Sequence, residues 1–305
     1  MLTLSRMSFS ELATRLQGKG VVLRTGPFTS RIRTDIPRIA EGLALLYADY
    51  PVDEAGAFAD FQISLMRSGG WRRWFRPQVR FRYDGAEPFV PLPLSQAFVM
   101  FEWVLNWCVA NQAHSYLIVH AAVVEKNGYA CILPAPPGSG KSTLCAGLVS
   151  RGWRLLSDEL TLVRLSDDML VPVPRPVSLK NASLDVIRAF APGCTLGPPV
   201  GGTMKGTIGH MKAPRASIER AGETVRPACI VFPRYEAGAA TQLEALPAAR
   251  TFTRLADNAF NYTLLGLPGF EALGRLVDRS TGFEFCYSKL EEAIAIFDRL
   301  AEMPR

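Results

Sequence analysis

The sequence predicts an α/β protein in two parts: a mixed, β-rich N-terminal portion over residues 1–105, and a C-terminal α/β portion over residues 106–305 built on a strand–loop–helix unit. Three observations carry this. Short runs that alternate apolar and polar residues mark the first 92 positions, as half-buried strands do. Strand-length and helix-length apolar segments follow one another in the second half. Between them, Ala130-Cys131-Ile132-Leu133 runs into the glycine-bearing stretch Ala135-Pro136-Pro137-Gly138-Ser139-Gly140-Lys141-Ser142 and on into an apolar segment.

Taken in order, Ser8-Phe9-Ser10-Glu11 before Leu12 is the start of a small amphipathic helix, with serine as cap. Val21–Arg24, Phe61–Leu65 and Val79–Tyr83 are expected strands, with little helix otherwise before residue 92. Pro88, Pro91 and Pro93 mark a break, and Ser95 to Gln112 has the apolar density of a buried helix. Tyr116 to Val124 is expected as one strand, Lys126-Asn127-Gly128 as a tight turn, and Ala130–Leu133 as the strand aimed at the loop. A helix over Ser142–Arg151 stops at Gly152, and Trp153–Ser157 is the next strand. Residues 170–215, rich in proline and glycine, are expected as long loops around a site. Ala228–Phe232 and Phe283–Tyr287 are strands, and Phe252–Phe260, Phe270–Val277 and Leu290–Ala301 are helical candidates.

A chain of 305 residues, 48% hydrophobic and 20% charged, has the composition of a globular protein with a real core. No window reaches the roughly 18 uninterrupted apolar residues of a membrane span. The longest candidate, Ala97 to Ala110, carries Glu102, and no signal-peptide pattern opens the chain, so no membrane role and a cytoplasmic location are expected. The six cysteines include no C-x-x-C pair, which argues against zinc and a redox dithiol and for small buried hydrophobes. A net charge of +6 suits a protein handling phosphates or an acidic partner and does not by itself call for nucleic acid.

The central loop has a mechanism. Glycines at 138 and 140 let backbone amides turn toward phosphate oxygens, and a helix N-terminus adds partial positive charge. Pro137, Gly138, Ser139, Gly140, Lys141, Ser142 and Thr143 are therefore candidates to hold ATP, with Lys141 on the outer phosphates and the Ser142 hydroxyl on Mg2+. Ala135 stands where the usual pattern has its first glycine. One helix and one strand later, Asp158 and Glu159 follow Leu155-Leu156-Ser157, and are expected on the strand next to the loop. Asp158 is the candidate second Mg2+ ligand, and Glu159 the base that takes a proton from an attacking hydroxyl.

On these residues the chain resembles the HPr kinase/phosphorylase family, and more closely the HPr-kinase-related proteins. The resemblance covers His120 to Val163 well and the rest of the C-terminal half loosely. Val119-His120-Ala121 stands where the family has Leu-His-Gly, and Arg154-Leu155-Leu156-Ser157-Asp158-Glu159 where it has Arg-Leu, two small or apolar residues, and Asp-Asp. Glu159 replaces the family's second aspartate. The resemblance implies a P-loop kinase core similar to that of phosphoenolpyruvate carboxykinase, use of ATP and magnesium, and transfer of phosphate to a serine hydroxyl of a peptide or protein. It gives Lys141 and Ser142 the phosphate and metal roles, Asp158 a metal-ligand role, and His120 a polar role near the acceptor. It also brings a homo-oligomer into consideration. Thr203 to His210 is the candidate for the family's acceptor-side loop.

His120 has a second reading, as a satisfied histidine inside a sheet. His210, with Lys205 and Lys212, belongs either to a basic loop that closes over phosphate or to a solvated one, and Arg175 with Lys180 is either a phosphate contact or structural. The basic stretch Trp71-Arg72-Arg73-Trp74-Phe75-Arg76, with Arg80 and Arg82, reads as the polar face of a half-buried strand or as a docking patch for an acidic peptide. Three functions stay open: a kinase of a peptide, protein or small alcohol; a nucleotide-gated ATPase switch; and a scaffold with a vestigial loop.

Overall fold

The computed structural model describes residues 2–302 except Ala55 and Trp71; the side chains of Arg72 and Arg73 also lie outside the described residues. Helix α1 (Phe9–Gln17) starts at the expected cap, with Ser8 Oγ accepting from the Glu11 amide at 3.2 Å. Strands β1 (Val21–Thr25) and β2 (Phe28–Thr34), helix α2 (Pro37–Leu46), strands β3 (Val52–Asp53) and β4 (Phe61–Arg67), helix α3 (Arg72–Phe75), and strands β5 (Gln78–Arg82) and β6 (Leu92–Pro93) follow. The strands form one sheet in the order β3-β1-β2-β4-β5-β6. Helix α2 corrects the expectation of little helix in this part. Its stripe Ile39, Leu43 and Leu46 is buried and repeats at helical spacing, which a search for alternation passes over. On β5, Val79 and Phe81 are buried while Arg80 and Arg82 face outward and pair with Glu87 at 3.6 and 3.3 Å, as a half-buried strand requires.

Helix α4 (Ala97–Gln112) runs through residue 105, where the sequence divides the chain. Its Val104, Leu105 and Cys108 are buried in one continuous core with Ile63 and Phe81 of the first sheet and Leu144 and Leu155 of the second half. The second half contains β7 (Tyr116–Val119), β8 (Ala121–Lys126), β9 (Tyr129–Pro134), α5 (Lys141–Ser150), β10 (Arg154–Ser157), β11 (Thr161–Arg164), β12 (Leu170–Val171), β13 (Val177–Lys180) and α6 (Ala182–Phe190). It continues through β14 (Val200–Thr203), β15 (Gly206–Met211), α7 (Arg215–Glu219), β16 (Pro227–Tyr235), β17 (Gln242–Leu246), α8 (Ala248–Ala256), α9 (Tyr262–Leu265), α10 (Leu267–Asp278), β18 (Thr281–Tyr287) and α11 (Leu290–Glu302). The chain is therefore a mixed α/β protein, and its central sheet has the order β10-β8-β9-β16-β18-β17.

Several expectations are corrected here. The single strand over Tyr116–Val124 is broken at His120: β7 pairs with β11 in a small sheet, and β8 joins the central sheet. The break exists because the His120 amide donates to Asn258 O at 2.7 Å instead of to a neighbouring strand. Residues 170–215 are not long loops; β13, β15 and β14 form a three-stranded sheet, with α6 beside it. The acid-bearing strand β10 is one strand removed from β9, because β8, folded back from β9 across a turn with Asn127 and Gly128 at positive φ, lies between them. Cys131 and Cys229 are not independent buried hydrophobes: parallel pairing of β9 with β16 sets them opposite each other, and they form a disulfide. Among the described residues, no helix is long and apolar enough to cross a membrane.

Candidate functional site

The loop between β9 and α5 is shaped by two glycines. Gly138 and Gly140 have φ of 88° and 87°, the left-handed region that a side chain disfavours. At Gly140 a Cβ would also lie 2.5 Å from Tyr287 Oη and 2.7 Å from Tyr235 Cβ, so backbone and packing both require glycine. The loop is tied to the sheet: Tyr287 Oη donates to Gly140 O at 2.9 Å, and the Tyr235 amide donates to Ser139 O at 2.8 Å. Helix α5 begins at Lys141, so its first-turn amides lie at this loop without intrahelical acceptors. Ser142 is half-buried in that turn. Thr143 Oγ1 donates to Ser183 Oγ of α6 at 2.8 Å, which ties the helix to its neighbour.

Lys141 is only 7% exposed, and its Nζ sits 3.1 Å from His120 Nε2. Burial first, and then the Lys141 charge, push the His120 pKa down from 6.5 to about 4, so the ring is neutral and its Nε2 accepts from the ammonium group. Burial also lowers the Lys141 pKa, against the opposing pull of Asp158 and Glu159. The His120 ring leans on Phe260 at 5.6 Å between centroids. The sheet break at residue 120 is thus what aims the histidine at the lysine.

Asp158 and Glu159 leave the end of β10 in different environments. Asp158 is 5% exposed; its Oδ2 accepts from the Ser178 amide at 2.9 Å, while Oδ1 is buried with no hydrogen-bond partner among the described residues. Burial raises its pKa, opposed by Lys141. An orphaned buried carboxylate oxygen is costly unless a cation or donor meets it. On Glu159 burial acts upward, but Lys180, Lys141, Arg175 and Lys205 together outweigh it and hold the carboxyl below its usual range. Lys180 Nζ is 3.9 Å from its Oε1, and Asn106 Nδ2 donates to its Oε2.

Sequence reasoning missed the wall opposite the acids. Glu102, Trp103 and Asn106 of α4 line one cleft with Ser157, Asp158, Glu159, Arg175, Ser178 and His210. Arg175 donates to Asn106 Oδ1 and lies 3.6 Å from Glu102 Oε2. Tyr47 Oη donates to Glu102 Oε1 at 2.7 Å, yet burial still raises the Glu102 pKa from 4.5 to about 7. The one available signal was the pair Glu102 and Asn106, four residues apart and the first polar residues on a helix that is apolar up to its last turn.

The expected basic loop does not hold together. His210 is 4% exposed on β15, packed edge-on against Phe98, because the pairing Ser178↔His210 carries it into the cleft. Lys212 is paired with Asp49 at 2.7 Å, away from the acids, and only Lys205 stays at a hairpin tip, 5.6 Å from the Trp103 ring. Arg234 is 71% exposed and paired with Glu236. Within the Trp71–Arg76 stretch, Trp71 and the side chains of Arg72 and Arg73 lie outside the described residues.

No family model and no curated protein matches the chain. Among solved structures the chain is similar to the HPr(Ser) kinase/phosphatase from Coxiella burnetii, with 13% identity over 60% of this chain and 96% of that one, at a TM-score of 0.27. At that score the likeness carries no argument, and the site is read from its own geometry.

Proposed function

We propose that the protein is an ATP- and magnesium-dependent kinase that transfers the γ-phosphate to a serine or threonine hydroxyl of a peptide or protein. The observation that carries this reading is the meeting of Lys141, an orphaned Asp158 oxygen and an ionised Glu159 beside a glycine-bearing helix start. The loop and the first turn of α5 hold the phosphates, with Lys141 neutralising the outer ones. The donor set fits magnesium: the Asp158 Oδ1 and the Ser142 hydroxyl are oxygen ligands of the hard type, and Oδ1 has no hydrogen-bond partner among the described residues. Bound there, the ion would neutralise charge developing on the phosphoryl oxygens.

Glu159 is the base. It accepts the proton of the acceptor hydroxyl as that oxygen bonds to the γ-phosphorus; the bond to the β–γ bridging oxygen breaks, and ADP leaves with the electron pair. Its depressed pKa keeps it ionised at neutral pH, and Asn106 with Lys180 fixes its direction. His120 holds Lys141 as a neutral acceptor. Docking of the acceptor is assigned to the N-terminal part, residues 1–105, since Glu102 and Trp103 of α4 face the acids across the cleft.

The test is γ-labelled ATP with magnesium and a soluble cell extract, comparing wild type with Lys141→Ala and Glu159→Ala. Label in a discrete peptide or protein band, lost in both variants, is the expected result. Free phosphate alone, without label on any hydroxyl-bearing acceptor, overturns the kinase in favour of a hydrolytic switch.

A further inference from the structure

The proposed function leaves the nucleoside end of ATP unassigned, and the order of the central sheet says where it lies. Both acids follow β10, on one flank of the loop strand β9. Lys141 Nζ reaches His120 Nε2 at 3.1 Å, and His120 stands just ahead of β8, the strand between β9 and β10, so the outer phosphates face that flank. A triphosphate lying along the loop then directs its nucleoside toward the other flank, where β16 and β18 end.

Two tyrosines stand there. Tyr287, the last residue of β18, is 1% exposed, stacked on Phe285 at 5.5 Å, and spends its hydroxyl on Gly140 O. It is a brace under the loop. Tyr235, the last residue of β16, is different: its backbone amide holds Ser139 O, its ring meets Tyr287 edge-on at 5.7 Å, and the residue is 50% exposed. An aromatic ring fixed by its own main chain to a phosphate-binding loop, braced on one side and open on the other, is a stacking platform.

Resting on the nucleotide reading above, we propose that Tyr235 binds the base of the nucleotide by stacking, so that this flank selects a nucleoside triphosphate over bare polyphosphate. Stacking addresses the face of a heterocycle and not its hydrogen-bonding edge, so ATP and GTP depend on Tyr235 alike. The main-chain bond to Ser139 is common to any residue at 235, which separates the ring's role from the loop's shape.

The experiment is calorimetric titration, with magnesium present, of wild type, Tyr235→Ala and Tyr235→Phe against ATP, GTP and inorganic tripolyphosphate. Tyr235→Ala should weaken ATP and GTP by about tenfold or more, while tripolyphosphate affinity stays within about twofold and Tyr235→Phe binds all three as wild type does. Equal weakening of nucleotide and tripolyphosphate by Tyr235→Ala would overturn the proposal, since the ring would then only shape the loop. Unchanged nucleotide affinity overturns it as well while leaving the kinase reading intact. Wild type that binds neither ATP nor tripolyphosphate removes the nucleotide reading itself, and this inference with it.

Discussion

Acidification should expose His210 as a buried neutral base. Its ring sits on β15 against Phe98, with Glu159, Arg175 and Lys180 acting on it, and burial pushes its pKa from 6.5 to about 4. The unfolded chain restores the ordinary value, so between those two values it binds a proton that the folded chain refuses. Stability therefore falls as pH falls through this window, and is fully present above it. At pH 5 the unfolded imidazole is charged and the folded one mostly neutral, which at about 1.4 kcal/mol per pH unit amounts to about 2 kcal/mol lost relative to pH 7. His120, also pushed to about 4, acts in the same direction. Glu102 acts in the opposite one: raised to about 7, it keeps its proton in the folded state and stabilises as pH falls from 7 toward 4.5. A His210→Gln variant removes one of these contributions. Urea titrations of variant and wild type at pH 7 and pH 5 should differ in pH response by about 2 kcal/mol, or about 0.7 M in midpoint at a slope near 3 kcal/mol/M, with the variant the less acid-sensitive. Parallel pH responses would refute the buried neutral histidine.

Three further outcomes are expected. Gly140→Ala should lower the melting temperature and weaken ATP binding, because left-handed backbone and contact with Tyr287 and Tyr235 together cost about 1–3 kcal/mol; thermal shift with and without ATP reads both. On the proposed kinase reading, Asn106→Ala should reduce kcat on the order of 10–100-fold with little change in KM for ATP, since it frees Glu159 and Arg175 without touching the glycine-bearing loop; steady-state kinetics on the acceptor found by labelling decides this. Breaking the Cys131–Cys229 bridge by serine substitution at both positions should cost about 2–4 kcal/mol in urea unfolding, and alkylation of the unfolded wild type without reductant should mark only Cys108, Cys145, Cys194 and Cys286.

The elements that local chemistry dictates were legible in the sequence. Ser8 caps α1, Asn127-Gly128 turns the β8–β9 hairpin, and the strand, loop and helix around Gly138 and Gly140 lie where the residues place them. What depends on distant register was not. His120 lies between two runs of good strand formers, so nothing local marks the break; it depends on Asn258, 138 positions later. Cys131 and Cys229 are 98 residues apart and meet only through parallel pairing. At the candidate site, Lys141, Asp158 and Glu159 stood out in the sequence as a lysine and two acids, and the structure brings their charges into one neighbourhood. The residues that hold Glu159 in place were hidden, because Asn106 sits in an apolar helix whose pattern announces only burial. His210 was visible as a residue but misplaced, since glycine-rich surroundings suggested a mobile loop where the backbone forms β15.

Helix α4 has a consequence for how the chain can be cut and recombined. Its residues before 105 face the first sheet and the cleft, and the residue just after, Asn106, grips the proposed base. Grafting the N-terminal part of a relative onto this C-terminal part at residue 105 would splice two foreign surfaces inside a single buried helix. Such chimaeras should inherit their reactivity from whichever parent supplies residues 97–112, so the joint belongs ahead of the helix, at Pro93 or earlier.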